Sequence, residues 1–111
     1  MWIPKKGYVY WRMNNNVTIL KEDDLKNFIN LPNLIVVFIS PSCGSCKSLI
    51  PYLYKLNPIW NIVVVDSEKH FKSMEYYPNS VPSFYPSILR FEQGKYEGIL
   101  DQDNIKNIDL W

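Results

Sequence analysis

Two short, unbroken apolar runs dominate the hydrophobic pattern of this chain. Residues 34–39 and residues 62–65 are apolar throughout and are flanked by turn-forming or polar residues. Runs of this length are typical of strands buried on both faces of a sheet. Between them, from residue 43 to about residue 57, apolar residues recur at helical spacing and predict a helix. Pro51 lies inside that helix and should kink it, because proline removes a backbone donor.

The N-terminal part of the chain has weaker patterns. Residues 8–13 are aromatic and β-prone, residues 14–16 are three asparagines that indicate a turn, and residues 17–20 are again β-prone. They predict a strand or a short hairpin. Residues 21–30 begin with acidic side chains and continue with apolar residues one turn apart, which predicts an amphipathic helix.

The C-terminal part predicts a short helix, a hairpin and a last helix. The short helix covers residues 67–77 and is closed by a proline. Residues 87–91 and 96–100 flank a turn that contains glycine and therefore read as a β-hairpin. A short helix is predicted for residues 101–110. Buried strands that alternate with helices predict an α/β fold, with a central mixed β-sheet flanked by helices.

Length and composition restrict the function classes. The chain has 111 residues, enough for one domain, and a net charge of +1, which gives no electrostatic reason to expect a nucleic-acid partner. No apolar run approaches the roughly 20 residues that span a bilayer, and the first residues lack the apolar core of a secretory signal. We therefore expect no membrane association and a cytoplasmic location, which would be the host cytoplasm if the chain is viral.

The candidate chemistry lies in the cysteines. The chain has two, Cys43 and Cys46, which are too few for a disulfide framework or a four-ligand zinc site. Cys43 falls where a predicted strand ends and a helix begins, so unpaired N–H groups and the helix dipole favour its thiolate. Lys47 adds a positive charge, and the small residues Gly44 and Ser45 leave the sulfur accessible. This placement predicts that Cys43 attacks a disulfide and that Cys46 resolves the product.

Other interpretations of the cysteines are a chance pair of structural thiols or half of a metal site. The histidine of the chain, His70, belongs to a different predicted helix and is expected to be solvated rather than a base. Asp66, at the end of a predicted strand, is expected to cap a helix rather than to act in the site. We therefore favour redox chemistry and expect no metal.

Several motifs in the chain resemble the thioredoxin family. The similarity begins at about Val17 and rests on the buried strand before the cysteines, the sequence Ser-Pro-Ser-Cys-Gly-Ser-Cys-Lys over residues 40–47, and Pro51 five residues after the second cysteine. It continues with Tyr85 and Pro86 at the start of a strand, and with Gly98 before the last helix. The resemblance implies a thioredoxin-like domain over residues 16–111, preceded by an extension or extra strand over residues 1–15.

The resemblance also implies how the site works. The Tyr85–Pro86 peptide bond would be cis, and its loop would face the cysteines and pair with the extended chain of a substrate. The redox-active disulfide would take the place of a cofactor. The partners would be protein substrates with disulfides and an unidentified reductase or other electron donor, and the protein would be monomeric. The residues implied to contact substrate are Ser42, Gly44, Ser45, Tyr85 and Pro86, and those implied to support the site are Lys47, Pro51 and Gly98.

Two positions depart from the family pattern. Val37 occupies the place of a buried acid that normally helps to move the proton of the second thiol, and Ser42 replaces the usual aromatic residue before the first cysteine. The leading hypothesis is a thiol–disulfide oxidoreductase that reduces protein disulfides. The alternatives are an enzyme that works in the oxidase or isomerase direction, and a redox-inactive binding or adaptor module with the same fold.

Overall fold

The computed structural model describes residues 14–100 together with residues 104, 107, 108 and 111. The strands in these residues are β1 (Val17–Ile19), β2 (Leu34–Ile39), β3 (Asn61–Asp66), β4 (Ser87–Glu92) and β5 (Lys95–Leu100). One α-helix, α1 (Gly44–Leu53), lies between β2 and β3 within the described part of the chain. Short 3₁₀ segments cover Leu25–Asn27, Phe71–Tyr76 and Pro78–Ser80.

The described strands form one mixed sheet in the order β1-β3-β2-β4-β5. β1 and β2 both run parallel to β3, whereas β4 is antiparallel to both β2 and β5. β2 therefore lies at the centre, between β3 and β4. The sheet, its mixed direction and the β4–β5 hairpin confirm the fold predicted from the apolar runs.

The all-apolar sequence of β2 reflects burial on both faces. Val36 and Phe38 point to one side of the sheet, whereas Ile35 and Val37 point to the other, as the alternation of strand side chains requires. The first side is covered by the segments between β1 and β2 and between β3 and β4. The second side is covered by α1 and by Ile108 near the C-terminus. The two apolar layers hold β2 and its ends in a fixed position.

α1 begins as predicted but ends about four residues early. Its buried side chains, Cys46, Leu49 and Leu53, follow helical spacing and face the sheet. Pro51 lies in the last turn, where its missing N–H leaves the carbonyl of Lys47 without its helical donor. Beyond Leu53 the chain closes with a tighter turn, in which the Leu56 N–H donates to the Leu53 carbonyl at 3.2 Å.

The helices predicted for residues 21–30 and 67–77 are wrong in extent, since only short 3₁₀ segments form there. The acidic side chains that favoured the first helix are used elsewhere. Asp23 accepts hydrogen bonds from the backbone N–H groups of Lys72 and Ser73, both at 2.9 Å, and from the Ser73 hydroxyl at 2.6 Å. Asp23 thus joins two segments distant in sequence. No helix of the described residues is long and apolar enough to cross a membrane.

The expectation that His70 is solvated is also wrong. Its residue surface is 5% exposed, and its Nε2 lies 3.0 Å from the carbonyl oxygen of Leu20. The turn after β3 folds back over the sheet, so the imidazole meets a carbonyl at the end of β1. Burial of a polar ring is tolerated because this contact gives it a hydrogen-bond partner. His70 is a structural residue that joins β1 to the β3–β4 connection.

The two ends of the chain are only partly described. The strand predicted within residues 17–20 is confirmed as β1, whereas the strand predicted for residues 8–13 lies outside the described residues. Most of the helix predicted for residues 101–110 lies outside them as well. Asn14 is buried, and its Nδ2 donates to the carbonyls of Asn57 and Trp60 at 3.1 and 3.0 Å. The proposed division at residue 15 stays a prediction.

Asp23 should make the stability of the fold depend on pH. Burial raises the pKa of Asp23. The hydrogen bonds from Ser73 and Lys72 and the charge of His70 outweigh this effect and lower the pKa below its ordinary value of 3.8. A carboxylate with a lowered folded pKa contributes stability above its ordinary pKa, and that contribution is lost as the pH falls through the folded value. We expect Asp23→Asn to lower the free energy of unfolding at pH 7 by about 1–2 kcal/mol.

Urea unfolding at pH 7, 5 and 3 measures this effect. The difference between the wild type and Asp23→Asn should shrink from about pH 5 downward, because the wild type loses the carboxylate interactions there. Asp24→Asn is the matched control, since the Asp24 carboxylate accepts a long hydrogen bond of 3.4 Å from a neighbouring side chain. Equal pH dependence in wild type and Asp23→Asn would contradict the assignment.

Candidate active site

The cysteine pair lies at the junction between β2 and α1. β2 ends at Ile39, residues 40–43 form a turn, and Cys43 is the residue that caps the N-terminus of α1. Cys43 and Cys46 are joined in a disulfide with their Cα atoms 5.4 Å apart. Cys43 is partly exposed, whereas Cys46 is 1% exposed and faces the sheet. The structure therefore places one sulfur at the surface and the other beneath it.

The surface sulfur has a donor directed at it. The backbone N–H of Cys46 donates to Cys43 Sγ at 3.2 Å. The same N–H also donates to the Cys43 carbonyl oxygen at 3.2 Å. A donor in the first turn of a helix stabilises negative charge, and so does the helix dipole. A Cβ added at Gly44 would meet nothing within 4 Å, and Lys47 is exposed. An incoming disulfide can reach Cys43 from this open side.

The Tyr85–Pro86 loop emerges at the same edge of the sheet. β4 starts at Ser87, which pairs with Phe38 near the end of β2, so the residues just before β4 lie beside those just after β2. The Tyr85–Pro86 peptide bond is cis. Pro86 is buried and Tyr85 is partly buried. The topology thus brings the Tyr85–Pro86 loop and the cysteine turn to one edge.

Hydrogen bonds connect this loop to the ends of β2 and β3. The Tyr85 hydroxyl and Ser67 Oγ are 2.7 Å apart. Ser67, just after β3, also contacts the carbonyl oxygen of Ile39, through its N–H at 3.0 Å and its hydroxyl at 3.1 Å. Ser67 was missed by the sequence analysis, since a lone serine after a strand carries no signal of a contact 18 residues away.

A second set of contacts holds the loop from the β4 side. Tyr77 is buried, its ring lies edge-on to Phe38, and its hydroxyl is 3.0 Å from Ser87 Oγ. Ser87 Oγ also bonds to the carbonyl oxygen of Phe84. These polar groups anchor the residues before Pro86 from beneath. Sequence reasoning treated Tyr77 only as the end of a helix and assigned Ser87 to a strand.

A carboxylate also lies beside the cysteine turn. The Ser40 hydroxyl donates to Glu68 Oε2 at 3.1 Å, and Ser40 Oγ is 3.1 Å from Ser42 Oγ. Glu68 itself is held by the turn after β3, where Asp66 Oδ1 accepts from the Glu68 N–H at 2.9 Å. The sequence carries no signal of this contact, because Glu68 lies 28 residues from Ser40.

Two predicted polar roles change in the structure. Asp66 caps a backbone turn rather than the predicted helix, since its Oδ1 accepts from the N–H groups of Glu68 and Lys69 at 2.9 and 3.3 Å. Val37, at the position where the family pattern has an acid, is fully buried in the apolar layer under α1.

Across the described ranges, no three His, Cys, Asp or Glu side chains cluster as a metal site would require.

The predicted supporting residues do not all lie at the site. Lys47 belongs to the first turn of α1 and is near the cysteines, whereas Pro51 is in its last turn. Gly98 pairs with Arg90, which in turn pairs with Ile35 near the start of β2. Gly98 is therefore at the opposite end of the sheet from Cys43. A Cβ there would lie 3.6 Å from the Trp111 ring, in ordinary contact.

No protein-family model and no curated protein matches the chain. Solved structures do match. Mitochondrial thioredoxin 3 from Saccharomyces cerevisiae has a TM-score of 0.68 and 21% identity, over 86% of this chain and 95% of that one. Thioredoxin F from spinach chloroplast has a TM-score of 0.70 and 12% identity, over 88% and 94%. This chain has a thioredoxin fold.

A third structure, thioredoxin from Schistosoma mansoni, has a TM-score of 0.68 and 20% identity, over 85% of this chain and 93% of that one. Identities this low support the fold and leave the activity to be argued from the site. Within the thioredoxin fold, the cysteine turn and the Tyr85–Pro86 loop share one edge of the sheet.

The Tyr85–Ser67 contact should stabilise the loop measurably. We expect Tyr85→Phe to lower the free energy of unfolding by about 1 kcal/mol, because it removes a partner of a partly buried hydrogen bond, and Ser67→Ala to lower it more, because the Ser67 hydroxyl also contacts the Ile39 carbonyl. The double variant should cost less than the sum of the two single variants, since both changes remove the same bond.

A double-mutant cycle measured by urea unfolding tests this coupling. Tyr76→Phe is the matched control, because Tyr76 is also partly buried and packs on the same side of the sheet. Strict additivity of Tyr85→Phe and Ser67→Ala would show that the two hydroxyl groups do not interact in solution.

Proposed function

We propose that this protein is a thiol–disulfide oxidoreductase that exchanges the Cys43–Cys46 dithiol and disulfide with disulfides of other proteins. The observation that carries the proposal is the asymmetry of the pair. Cys43 is partly exposed at the N-terminus of α1 and accepts the Cys46 N–H, whereas Cys46 is buried beneath it. An accessible sulfur with a stabilised thiolate attacks, and a protected sulfur close by resolves the intermediate.

The proposed direction is reduction of the substrate. The Cys43 thiolate attacks one sulfur of a substrate disulfide, that disulfide bond breaks, and the other substrate sulfur leaves as a thiolate that takes a proton. Cys46 then loses its proton and attacks Cys43 Sγ, which releases the second substrate thiolate. Two electrons have passed to the substrate, and the Cys43–Cys46 disulfide has formed. An unidentified reductase or other electron donor restores the dithiol.

Substrate would bind at the edge shared by the cysteine turn and the Tyr85–Pro86 loop. Extended peptides commonly pair with exposed backbone groups, and such pairing tolerates many sequences. The proposed contact residues are Ser42, Gly44, Ser45, Tyr85 and Pro86, with Lys47 in support. Protein substrates with disulfides are thus the proposed partners, the chain acts as a monomer, and a reducing compartment such as the cytoplasm suits the direction.

The second candidate is a redox-inactive binding or adaptor module. Val37 favours it, because an apolar side chain there cannot accept the proton that Cys46 must lose. The exposure of Cys43 and the N–H directed at its sulfur oppose it. An oxidase or isomerase direction uses the same residues and differs only in the redox equilibrium.

Reduction of insulin disulfides by dithiothreitol, with and without the protein, tests the proposal. We expect the wild type to accelerate the reaction, Cys43→Ser to lose the acceleration, and Cys46→Ser to accumulate a mixed disulfide with the substrate because the resolving thiol is missing. Ser48→Ala, on the exposed side of α1, is the matched control and should retain full activity.

Mass spectrometry of the Cys46→Ser protein identifies the trapped adduct and the cysteine that carries it. An adduct on Cys43 supports the assigned roles. If the wild type gives no acceleration and Cys46→Ser traps no substrate, the oxidoreductase proposal fails and the binding module remains. If the wild type is active, equilibration with mixtures of reduced and oxidised glutathione determines the direction.

A further inference from the structure

A chain of hydrogen bonds runs from the turn after β3 to the residue before Cys43. The Ser40 hydroxyl donates to Glu68 Oε2 at 3.1 Å, and Ser40 Oγ is 3.1 Å from Ser42 Oγ. Ser40 is 8% exposed, so its hydroxyl is largely shielded from water, whereas the Glu68 residue is exposed. Ser42 itself is exposed and directly precedes Cys43. The contacts connect a charged group through Ser40 to Ser42, the residue before the proposed attacking cysteine.

The number of hydroxyl protons determines which group is the donor in each of these hydrogen bonds. A hydroxyl group has one proton, and the proton of Ser40 is directed to the carboxylate of Glu68. The Ser42 hydroxyl must therefore be the donor in its contact with Ser40. While the chain is intact, that proton is not available to a thiolate on Cys43. Glu68 thus determines the orientation of the hydroxyl group of Ser42, the residue before Cys43.

The position of Glu68 does not depend on its own carboxylate. Its N–H donates to Asp66 Oδ1 at 2.9 Å, and the preceding residue, Ser67, bonds to the Ile39 carbonyl through both its N–H and its hydroxyl. These contacts place the turn after β3 against the end of β2. A change at the Glu68 side chain therefore removes charge at the site and leaves the turn in place.

We infer that Glu68, acting through Ser40 and Ser42, shifts the Cys43–Cys46 equilibrium toward the disulfide and so makes the reduced protein a stronger electron donor. The inference rests on the proposed function and deepens it. A nearby negative charge disfavours a thiolate, as does a neighbouring hydroxyl whose proton is held elsewhere. Both effects destabilise the thiolate form of the dithiol relative to the disulfide. They oppose the N-terminus of α1 and Lys47, which favour the thiolate.

Glu68 is a positioning residue, since it acts on the sulfur through other groups. The effect is measured by the exchange of two electrons between the protein and glutathione. When two glutathione thiols reduce the Cys43–Cys46 disulfide, glutathione disulfide and the protein dithiol form, and the ratio of products to reactants gives the equilibrium constant. A group that disfavours the dithiol lowers this constant.

Two variants separate the charge of Glu68 from the orientation of the hydroxyl groups. Glu68→Gln removes the charge and keeps a carbonyl oxygen that accepts from Ser40. Ser40→Ala keeps the charge and releases the Ser42 proton. We expect Glu68→Gln to raise the glutathione equilibrium constant at pH 7 about threefold to tenfold, and Ser40→Ala to raise it by a smaller factor.

Salt distinguishes the two contributions further. The effect of Glu68→Gln should shrink as the salt concentration rises, because an exposed charge is screened, whereas the effect of Ser40→Ala should change little. Glu97→Gln is the matched control, since Glu97 is an exposed acid on β5 and its loss changes the net charge equally. The control should leave the constant unchanged.

The outcomes separate this inference from the proposed function. Insulin reduction by the wild type reports on the oxidoreductase proposal, whereas the ratio of the Glu68→Gln and wild-type constants reports on Glu68. An unchanged constant, or one shifted toward the disulfide, would overturn the inference even if insulin is reduced. A shift equal to that of Glu97→Gln would overturn it as well, because net charge alone would explain the change.

Discussion

Burial of β2 on both faces is the constraint on which the rest of the structure depends. Its apolar side chains leave no polar face, so the strand is stable only between two covered layers and two paired neighbours. That burial fixes the strand's end at Ile39. The cysteine turn follows this end and leads into α1. The turn after β3 is hydrogen-bonded to the Ile39 carbonyl, and the Phe38–Ser87 pair places the loop before β4 beside it. The candidate site is built on the edge of a fully packed sheet.

The features that depend on local pattern could be predicted from the sequence. Apolar runs predicted the central strands, and the spacing of two cysteines at a strand-to-helix junction predicted the pair that the structure joins in a disulfide. The short 3₁₀ segments and the polar contacts could not be predicted, because each depends on groups far apart in the chain. Asp23 bonds to Ser73 and His70 bonds to Leu20, each across 50 residues. An acid whose position in the sequence predicted the start of a helix thus binds the backbone of another segment.

The environment of Cys43 combines opposing electrostatic contributions. The N–H of Cys46 and the N-terminus of α1 stabilise a negative sulfur, whereas Glu68 carries a negative charge and accepts a hydrogen bond from Ser40 of the cysteine turn. The first contribution is inherent in a helix that begins one residue after the cysteine. The second depends on a turn between β3 and β4, so it can vary while the fold stays constant. The two contributions therefore come from different segments of the chain.

Relative to the thioredoxin family pattern, the carboxyl group near the cysteines lies at position 68, whereas position 37 is an apolar valine. At position 37, a carboxylate would lie in the apolar layer under α1, where burial of a charge costs several kcal/mol unless it is paired. Valine avoids that cost and packs against the helix that carries both cysteines. At position 68 a carboxylate stays hydrated and still bonds to the shielded Ser40 hydroxyl. It meets the Cys43 side of the pair, through Ser42, rather than the sheet-facing side of Cys46. Under the proposed function, this carboxylate acts on Cys43, and the apolar side chain of Val37 cannot accept the proton that Cys46 loses.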